Sequence, residues 1–183
     1  MSNKYKKIIF GMIVFIWMII VFCFSNQPAK ISTNTSGSTI KAIINIFPNI
    51  RNMEENEKEQ IVSNLQPIVR KLAHFSIYTL GGILIYNFIY TYDITNKRKM
   101  IVSFLIGGVY AITDELHQLF IPGRSCEIRD VCIDSSGVLL GICIIAIFIK
   151  LKTTNKETCK KSKNMIGCKN RTSYYKDDNF EKR

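Results

Sequence analysis

Four long apolar runs constrain this 183-residue chain more than any other feature of its sequence. The first, IIFGMIVFIWMIIVFCF, carries no charge, and the others are nearly as apolar. They cover residues 8–24, 72–92, 100–113 and 135–149. An α-helix needs about 20 mostly apolar residues to cross a bilayer, and the shorter runs reach that length with their polar ends. The sequence therefore predicts an all-α integral membrane four-helix bundle, with helices at about 8–24, 70–92, 100–120 and 131–149.

Two other interpretations of these runs fit less well. Buried helices of soluble proteins are usually shorter and are seldom apolar on every face. A cleaved signal peptide would explain the lysines before the first run, but that run is long and FSNQPAK offers no small-x-small cleavage site. The first run is therefore interpreted as an uncleaved anchor.

The distribution of basic residues predicts the orientation of the helices. Lysine and arginine are concentrated at 4–7, 97–99 and 150–183. Because cytoplasmic segments near helix ends carry an excess of these residues, both termini are predicted to be cytoplasmic. The net charge of +11 is thus an orientation signal and does not indicate nucleic-acid binding. Residues 1–150 form the predicted membrane domain, and 151–183 form a basic tail predicted to be disordered.

The segment between the first two apolar runs is predicted to lie outside the cell. STIKAIINIF and EENEKEQIVSNLQPIV both carry apolar residues at helical spacing. They predict short amphipathic helices on the outer face between helices one and two. These helices would lie on the membrane surface or pack as a hairpin over the bundle, and both arrangements remain open.

Charged residues crowd the stretch DELHQLFIPGRSCEIRDVCID, residues 114–134, between the last two apolar runs. With the predicted orientation, the outer ends of all four helices bring polar residues to one leaflet. Spacings of three or four residues place side chains on shared helix faces. The predicted faces are Arg70, His74 and Tyr78; Asp114, His117 and Gln118; and Asp130 with Asp134.

This polar layer has two interpretations. A charge inside a bilayer is costly unless it is paired or hydrated. In the first interpretation, the acidic and basic residues only neutralise each other and lock the helices together. In the second they form a functional site, because His74 and His117, the only histidines, both lie in the layer. Imidazole serves acid–base chemistry and metal binding, whereas a salt bridge between helices does not need it.

Three sequence motifs resemble the VanZ-like membrane proteins over about residues 8–150. These are FSNQPA, RKLAHFSIYTLGG and DELHQLFIPGRSCEIRDVCIDSSGVLLG, which occur in the order typical of that family. The family is named for a protein linked to low-level teicoplanin resistance, so the resemblance implies a membrane protein that acts at the cell envelope. The motif residues carried over are Ser25, Gln27, Pro28, Arg70, Lys71, His74, Tyr78, Asp114, Glu115, His117, Gln118, Pro122, Gly123, Arg124, Asp130 and Asp134.

Two positions depart from the family pattern. Ile77 stands where many members have glutamate, and Cys126 stands where a small residue such as glycine is common. A mechanism that needs the missing carboxylate does not carry over to this chain.

The first functional hypothesis is an enzyme that modifies a membrane lipid or a lipid-linked cell-wall precursor at its phosphate or head group. His74 or His117 would act as nucleophile or general acid–base, oriented by Asp114 or Glu115. Asp130 and Asp134 would hold a divalent cation, because hard cations prefer carboxylate oxygens. The predicted substrate-binding residues are Arg70, Lys71, Tyr78, Gln118, Arg124, Ser25 and Gln27.

Two further hypotheses remain open. In one, the chain is a non-catalytic module whose polar layer binds an envelope component, an antibiotic or a partner protein. In the other, the chain is a small transporter or flippase. Four helices are few for alternating access unless the chain forms a homo-oligomer. All three hypotheses place the chain in the cell membrane as a multi-pass protein.

Overall fold

The computed structural model describes residues 3–46 and 53–177. Within these residues the chain forms five helices and no strands, which confirms the all-α prediction. The helices are α1 (Asn3–Ser25), α2 (Ala29–Ile44), α3 (Glu55–Tyr90), α4 (Asn96–Gln118) and α5 (Ile128–Asp177).

Four helices are long and apolar enough to cross a membrane, as the sequence predicts. They are Asn3–Ser25, Glu55–Tyr90, Asn96–Gln118 and the Ile128–Thr154 part of α5. A helix satisfies its backbone hydrogen bonds internally, which lipid requires because it offers no partners. Large apolar side chains such as Phe15 and Val109 lie exposed on the outside of the helices. Such a surface suits contact with lipid.

Helix α3 is the centre of the bundle and contacts α1, α2 and α4. Trp17 fixes α1 against it. The Trp17 indole Nε1 donates a hydrogen bond of 3.0 Å to the Ile77 carbonyl of α3. Its ring also lies over Gly81, where a Cβ atom would overlap it. The lack of a side chain at Gly81 therefore lets the buried indole pack directly on the α3 backbone.

Glycines bring α5 equally close to α3. A Cβ atom on Gly137 would lie 2.6 Å from the Phe75 carbonyl oxygen, and one on Gly141 would overlap the Thr79 carbonyl. Small residues spaced by four allow helices in membranes to approach in this way. Gly108 of α4, in contrast, faces open space.

Helix α3 begins earlier than the sequence predicts. The expected helix starts at residue 70 and follows a separate short helix, but the structure has one continuous helix from Glu55 that includes Pro67. Its 36 residues span about 54 Å. A buried cluster of Ile40, Ile44 and Val62 packs α2 on its first half, with Leu65 and Val69 beside it. This apolar stripe continues past Pro67. Its burial offsets the free-energy cost of the one backbone hydrogen bond that proline cannot donate.

Two predictions about the fold remain predictions. Helix α2 packs against the first half of α3, and the outer-face position predicted for this segment stays a prediction. Residues 47 and 48, where the predicted amphipathic helix in STIKAIINIF ends, lie outside the described residues. Helix α5 continues through the basic tail as far as Asp177, and this part of the chain, from Ala146 on, belongs to a separate unit. The disorder predicted for this tail in solution stays a prediction.

Candidate functional site

One end of the bundle contains a cavity of about 60 Å³, called the polar pocket below. Helices α3 and α5 and the loop between α4 and α5 supply most of its walls. Its charged or titratable residues are Arg70, Lys71, His74, Arg124, Asp130 and Asp134. The sequence predicted a functional role for all six, and the structure brings them together.

Asp114 lies buried beside this pocket and ties α1 to α4. Ser25 Oγ, at the end of α1, donates a hydrogen bond of 2.7 Å to Asp114 Oδ2. Gln118 Nε2, one turn further along α4, donates a second hydrogen bond of 3.3 Å to the same oxygen. The buried carboxylate is therefore held by neutral donors and forms no ion pair among the described residues.

Arg124 is fixed in the pocket wall by neutral acceptors. Its Nη1 donates to Gln118 Oε1 at 3.0 Å, and its Nε donates to the Gln27 carbonyl at 3.0 Å. The chain reaches this position through a turn at Gly123, whose φ of +78° favours glycine. Burial, with the nearby charge of Arg70, lowers the pKa of Arg124 from its ordinary value. An arginine nevertheless keeps its charge in proteins.

Neither arginine of the pocket has an acidic partner. Among the described residues, no carboxylate lies within ion-pair distance of Arg70 or Arg124. Lys71 differs, since its Nζ lies 2.8 Å from Asp130 Oδ1 and 3.8 Å from Glu127 Oε2. The pocket therefore holds two guanidinium groups that form no ion pair with a described carboxylate, which favours an anionic ligand.

Three titratable groups from different helices lie close together next to the polar pocket. His74 of α3, Asp114 of α4 and Asp134 of α5 each offer an atom within 4.8 Å of the others. His74 Nδ1 lies 3.8 Å from Asp134 Oδ2. Asp134 is 1% exposed, and neither of its oxygens accepts a hydrogen bond from the described residues. The sequence placed Asp134 with Asp130, which instead pairs with Lys71.

Other predicted site residues lie outside the polar pocket. The His117 ring stacks on Phe22 of α1 at 4.6 Å between centroids, and its buried Nε2 has no hydrogen-bond partner within the described chain. Glu115 is buried under the start of α5 and accepts a hydrogen bond of 3.2 Å from the Glu127 backbone N–H. The catalytic roles predicted for these two residues stay predictions.

Tyr78 is fully buried among aromatic rings of the bundle. It meets Trp17 edge-on at 5.8 Å and lies 6.3 Å from Tyr110, measured between ring centroids. Its hydroxyl has no hydrogen-bond partner among the described residues. The substrate-binding role predicted for Tyr78 stays a prediction, because the residue does not line the polar pocket.

A larger and more apolar cavity of about 460 Å³ opens beside the polar pocket. It lies between α1, α2 and α3 and is called the lateral groove. Its apolar lining includes Val21, Phe24, Ile31, Val69 and Ile77, and the predicted residues Ser25 and Gln27 also line it. Arg70, His74 and Arg124 line both the groove and the polar pocket. The two cavities therefore meet at three charged or titratable residues.

Sequence reasoning missed several contacts around the site. Tyr110 donates a hydrogen bond of 2.6 Å to the Met18 carbonyl and so joins α4 to α1. The sequence does contain a signal for Tyr110, because this residue precedes Asp114 by four positions and therefore lies on the same helix face. Glu127, which contacts both Lys71 and Glu115, carries no comparable signal, since it lies in a loop rich in charge. The lateral groove was also missed because it depends on how α2 folds back on α3.

A model of the VanZ/LLP1 family matches residues 10–149. This chain belongs to the VanZ/LLP1 family. The matched span of this VanZ/LLP1 protein contains the polar pocket and the lateral groove, and it ends before the basic tail. Membership agrees with the four apolar helices in marking a membrane protein. No curated protein and no solved structure matches the chain.

Proposed function

We propose that this VanZ/LLP1 protein binds a phosphate-bearing membrane lipid and modifies its head group. The chain would cross the cell membrane four times, with the polar pocket at the outer leaflet. One observation carries the proposal: Arg70, His74 and Arg124 line both the polar pocket and the apolar lateral groove. A lipid has the same two-part character, with a charged head joined to an apolar chain.

The charge of the polar pocket suits a phosphate. Arg70 and Arg124 have no carboxylate partner among the described residues, so a bound anion would not have to displace one. Guanidinium groups bind phosphate oxygens through paired N–H donors and are less strongly hydrated than ammonium groups. In a partly buried site such charge-assisted hydrogen bonds are stronger than in water.

The lateral groove suits the apolar chain of the same lipid. Phe24 and Ile31 lie on its α1 and α2 sides, and Val69 and Ile77 lie on α3. Apolar ligand surface gains about 25 cal/mol for each Å² removed from water. Since lipid tails already lie in an apolar medium, the groove would mainly orient the chain and direct the head group toward the arginines.

His74 places a titratable group where the two cavities meet. Its imidazole lies 3.8 Å from the Asp134 carboxylate and faces the space that the arginines line. Chemistry at a lipid head group needs such a group or a metal close to the reacting phosphate. Modification of a lipid-linked cell-wall precursor would also connect this protein with the glycopeptide resistance for which its family is named.

Lipid retention by the purified protein tests the proposal. The full-length chain would be extracted from vesicles of phosphatidylcholine that contain a polyprenyl phosphate. Bound lipid would be identified by native mass spectrometry from the mass that it adds to the protein. We expect retention of the phosphate and not of the matching polyprenol. Loss of a charge-assisted contact costs about 1.5–3 kcal/mol, so Arg70→Gln and Arg124→Gln should each weaken retention about tenfold or more.

Arg98→Gln is the matched control, because Arg98 is exposed at the start of α4, at the other end of this helix from the pocket. It should retain the lipid as the wild type does. Equal retention of polyprenol and polyprenyl phosphate would overturn the proposal. Retention of a lipid whose head-group mass never changes during incubation in cell membranes would overturn its catalytic part.

A further inference from the structure

We infer that His74, Asp114 and Asp134 bind one divalent metal cation next to the polar pocket. The three residues come from α3, α4 and α5, and their ligand atoms lie within 4.8 Å of one another. Bonds of about 2.0–2.2 Å to a first-row cation bring ligand atoms to roughly 3.5 Å apart. The side chains therefore need to close by about 1 Å around the ion.

Asp134 supplies the second observation that points to a ligand. Its side chain is 1% exposed, and both carboxylate oxygens lack a hydrogen-bond donor among the described residues. Buried polar groups are normally satisfied, because an unpaired one costs free energy. A cation between Asp134 and its neighbours would satisfy these oxygens.

Hydrogen bonds from two other residues hold the Asp114 carboxylate in place. The hydrogen bonds from Ser25 and Gln118 both end on Oδ2, so neither uses Oδ1. Hydrogen bonds of this kind to metal-binding carboxylates fix the ligand geometry and raise metal affinity. Ser25 is 1% exposed and Gln118 is 5% exposed, so water does not readily replace either donor.

A protonated histidine does not replace the cation in this arrangement. The His74 Nδ1–Asp134 Oδ2 distance of 3.8 Å is longer than a hydrogen bond. One imidazolium would also balance only one of the two carboxylates. Lys71, which lines the pocket, is paired with Asp130 and Glu127. A doubly charged cation with a neutral imidazole balances both Asp114 and Asp134.

The donor set selects the class of metal. One imidazole nitrogen with two carboxylate oxygens suits Zn²⁺ or Mn²⁺, whereas Ca²⁺ and Mg²⁺ prefer oxygen ligands throughout. Three protein ligands leave a coordination position open, as catalytic metal sites do. His74 and Asp134 line the polar pocket, so this position would face the arginines. That a lipid phosphate oxygen fills it rests on the proposed function, but binding of the cation does not.

Metal analysis of the full-length protein in detergent tests the inference. Protein stripped with a chelator would be dialysed against Zn²⁺ or Mn²⁺, and bound metal would be measured by elemental analysis. We expect one cation per chain in the wild type and none in Asp134→Asn. Ser25→Ala removes a donor to the Asp114 ligand and should weaken metal affinity about tenfold or more.

Glu127→Gln is the matched control, because the Glu127 side chain neither lines the polar pocket nor belongs to the group of three. The substitution also keeps the backbone N–H that donates to Glu115. It should bind the cation as the wild type does. A cation that binds the folded protein raises its melting temperature. Added Zn²⁺ or Mn²⁺ should therefore raise the melting temperature of the wild type and Glu127→Gln, but not that of folded Asp134→Asn.

A wild type without bound metal after dialysis would overturn the inference, and so would an Asp134→Asn variant that binds as much as Glu127→Gln. If Asp134→Asn does not fold, His74→Gln serves in its place with the same expected loss. These failures are distinct from failure of the proposed function. A protein that binds metal but retains no lipid phosphate would contradict only the proposed function, and the reverse result would contradict only the metal site.

Discussion

Ser25 donates a hydrogen bond of 2.7 Å to the Asp114 carboxylate, although the two residues lie 89 positions apart. This contact joins the end of α1 to α4 beside the polar pocket. It orients one of the three groups that we assign to a metal cation, and it satisfies part of a buried charge. The stability of the bundle and the geometry of the site therefore depend on the same hydrogen bond.

Replacement of Ser25 by alanine tests that dependence. It removes a donor from a buried carboxylate, which costs about 1–3 kcal/mol. We expect a loss of that size in the free energy of unfolding, measured by denaturant titration in detergent. Ser76→Ala is the control, because Ser76 is exposed and its hydroxyl donates only within its own helix, to the Leu72 carbonyl. Ser76→Ala should change stability by less than about 0.5 kcal/mol. An equal loss in both variants would show that the Asp114 contact adds nothing.

Replacement of Gly141 by alanine tests the close approach of α3 and α5. The new Cβ atom would overlap the Thr79 carbonyl, so the helices would have to separate. We expect a loss of about 1–3 kcal/mol in the free energy of unfolding. Gly108→Ala should be neutral or stabilising by up to about 1 kcal/mol, because its Cβ meets open space and alanine favours helix. Similar stability of the two variants would contradict the described packing.

The ion pair of Lys71 with Asp130 should stabilise the pocket wall more than an exposed pair does. Both side chains are partly shielded, with exposed fractions of 29% and 23%, and they approach to 2.8 Å. A double-mutant cycle with Lys71→Gln and Asp130→Asn should give a coupling of about 1 kcal/mol. The control pair, Lys41 with Glu59, is 3.7 Å apart and more exposed. Its coupling should be near zero. Equal coupling in the two cycles would contradict the account of the pocket wall.

The predicted orientation places the loop between α4 and α5 outside the cell. Ser125 lies in this loop, is exposed and lines the polar pocket. In a variant without the native cysteines, Ser125→Cys should react with a membrane-impermeant maleimide added to intact cells. Lys97→Cys, at the start of α4, should react only after the cells are opened. Labelling of Lys97→Cys alone in intact cells would reverse the orientation and place the pocket on the cytoplasmic side.

The sequence predicted the helices and the gathering of polar residues because both follow from local patterns. Apolar runs of the right length define membrane-crossing helices. A spacing of four residues puts Arg70 and His74 on one face of α3. Once the helices alternate in direction, the polar ends of α3, α4 and α5 must meet. Both arginines, His74 and Asp134 were therefore identified before the structure showed the pocket.

The partners of individual side chains could not be predicted, because they depend on how each helix is rotated. His117 lies only three residues from Asp114, yet it turns toward Phe22 of α1 and away from the pocket. Asp130 pairs with Lys71, which leaves Asp134 to face His74. That rotation of α5 is set by its glycine contacts with α3. Such contacts give no sequence signal beyond the presence of small residues.

Binding of a lipid phosphate in the polar pocket is tested by the distance between the arginine guanidinium groups and the lipid phosphorus atom. Solid-state NMR of ¹⁵N-arginine protein in membranes with a polyprenyl phosphate measures the dipolar coupling between ¹⁵N and ³¹P. We expect a coupling strong enough for direct contact in the wild type and in Arg98→Gln, and we expect it to be lost in the Arg70→Gln/Arg124→Gln double variant. A coupling that persists in the double variant, or is absent from the wild type, would contradict a lipid phosphate held in the polar pocket.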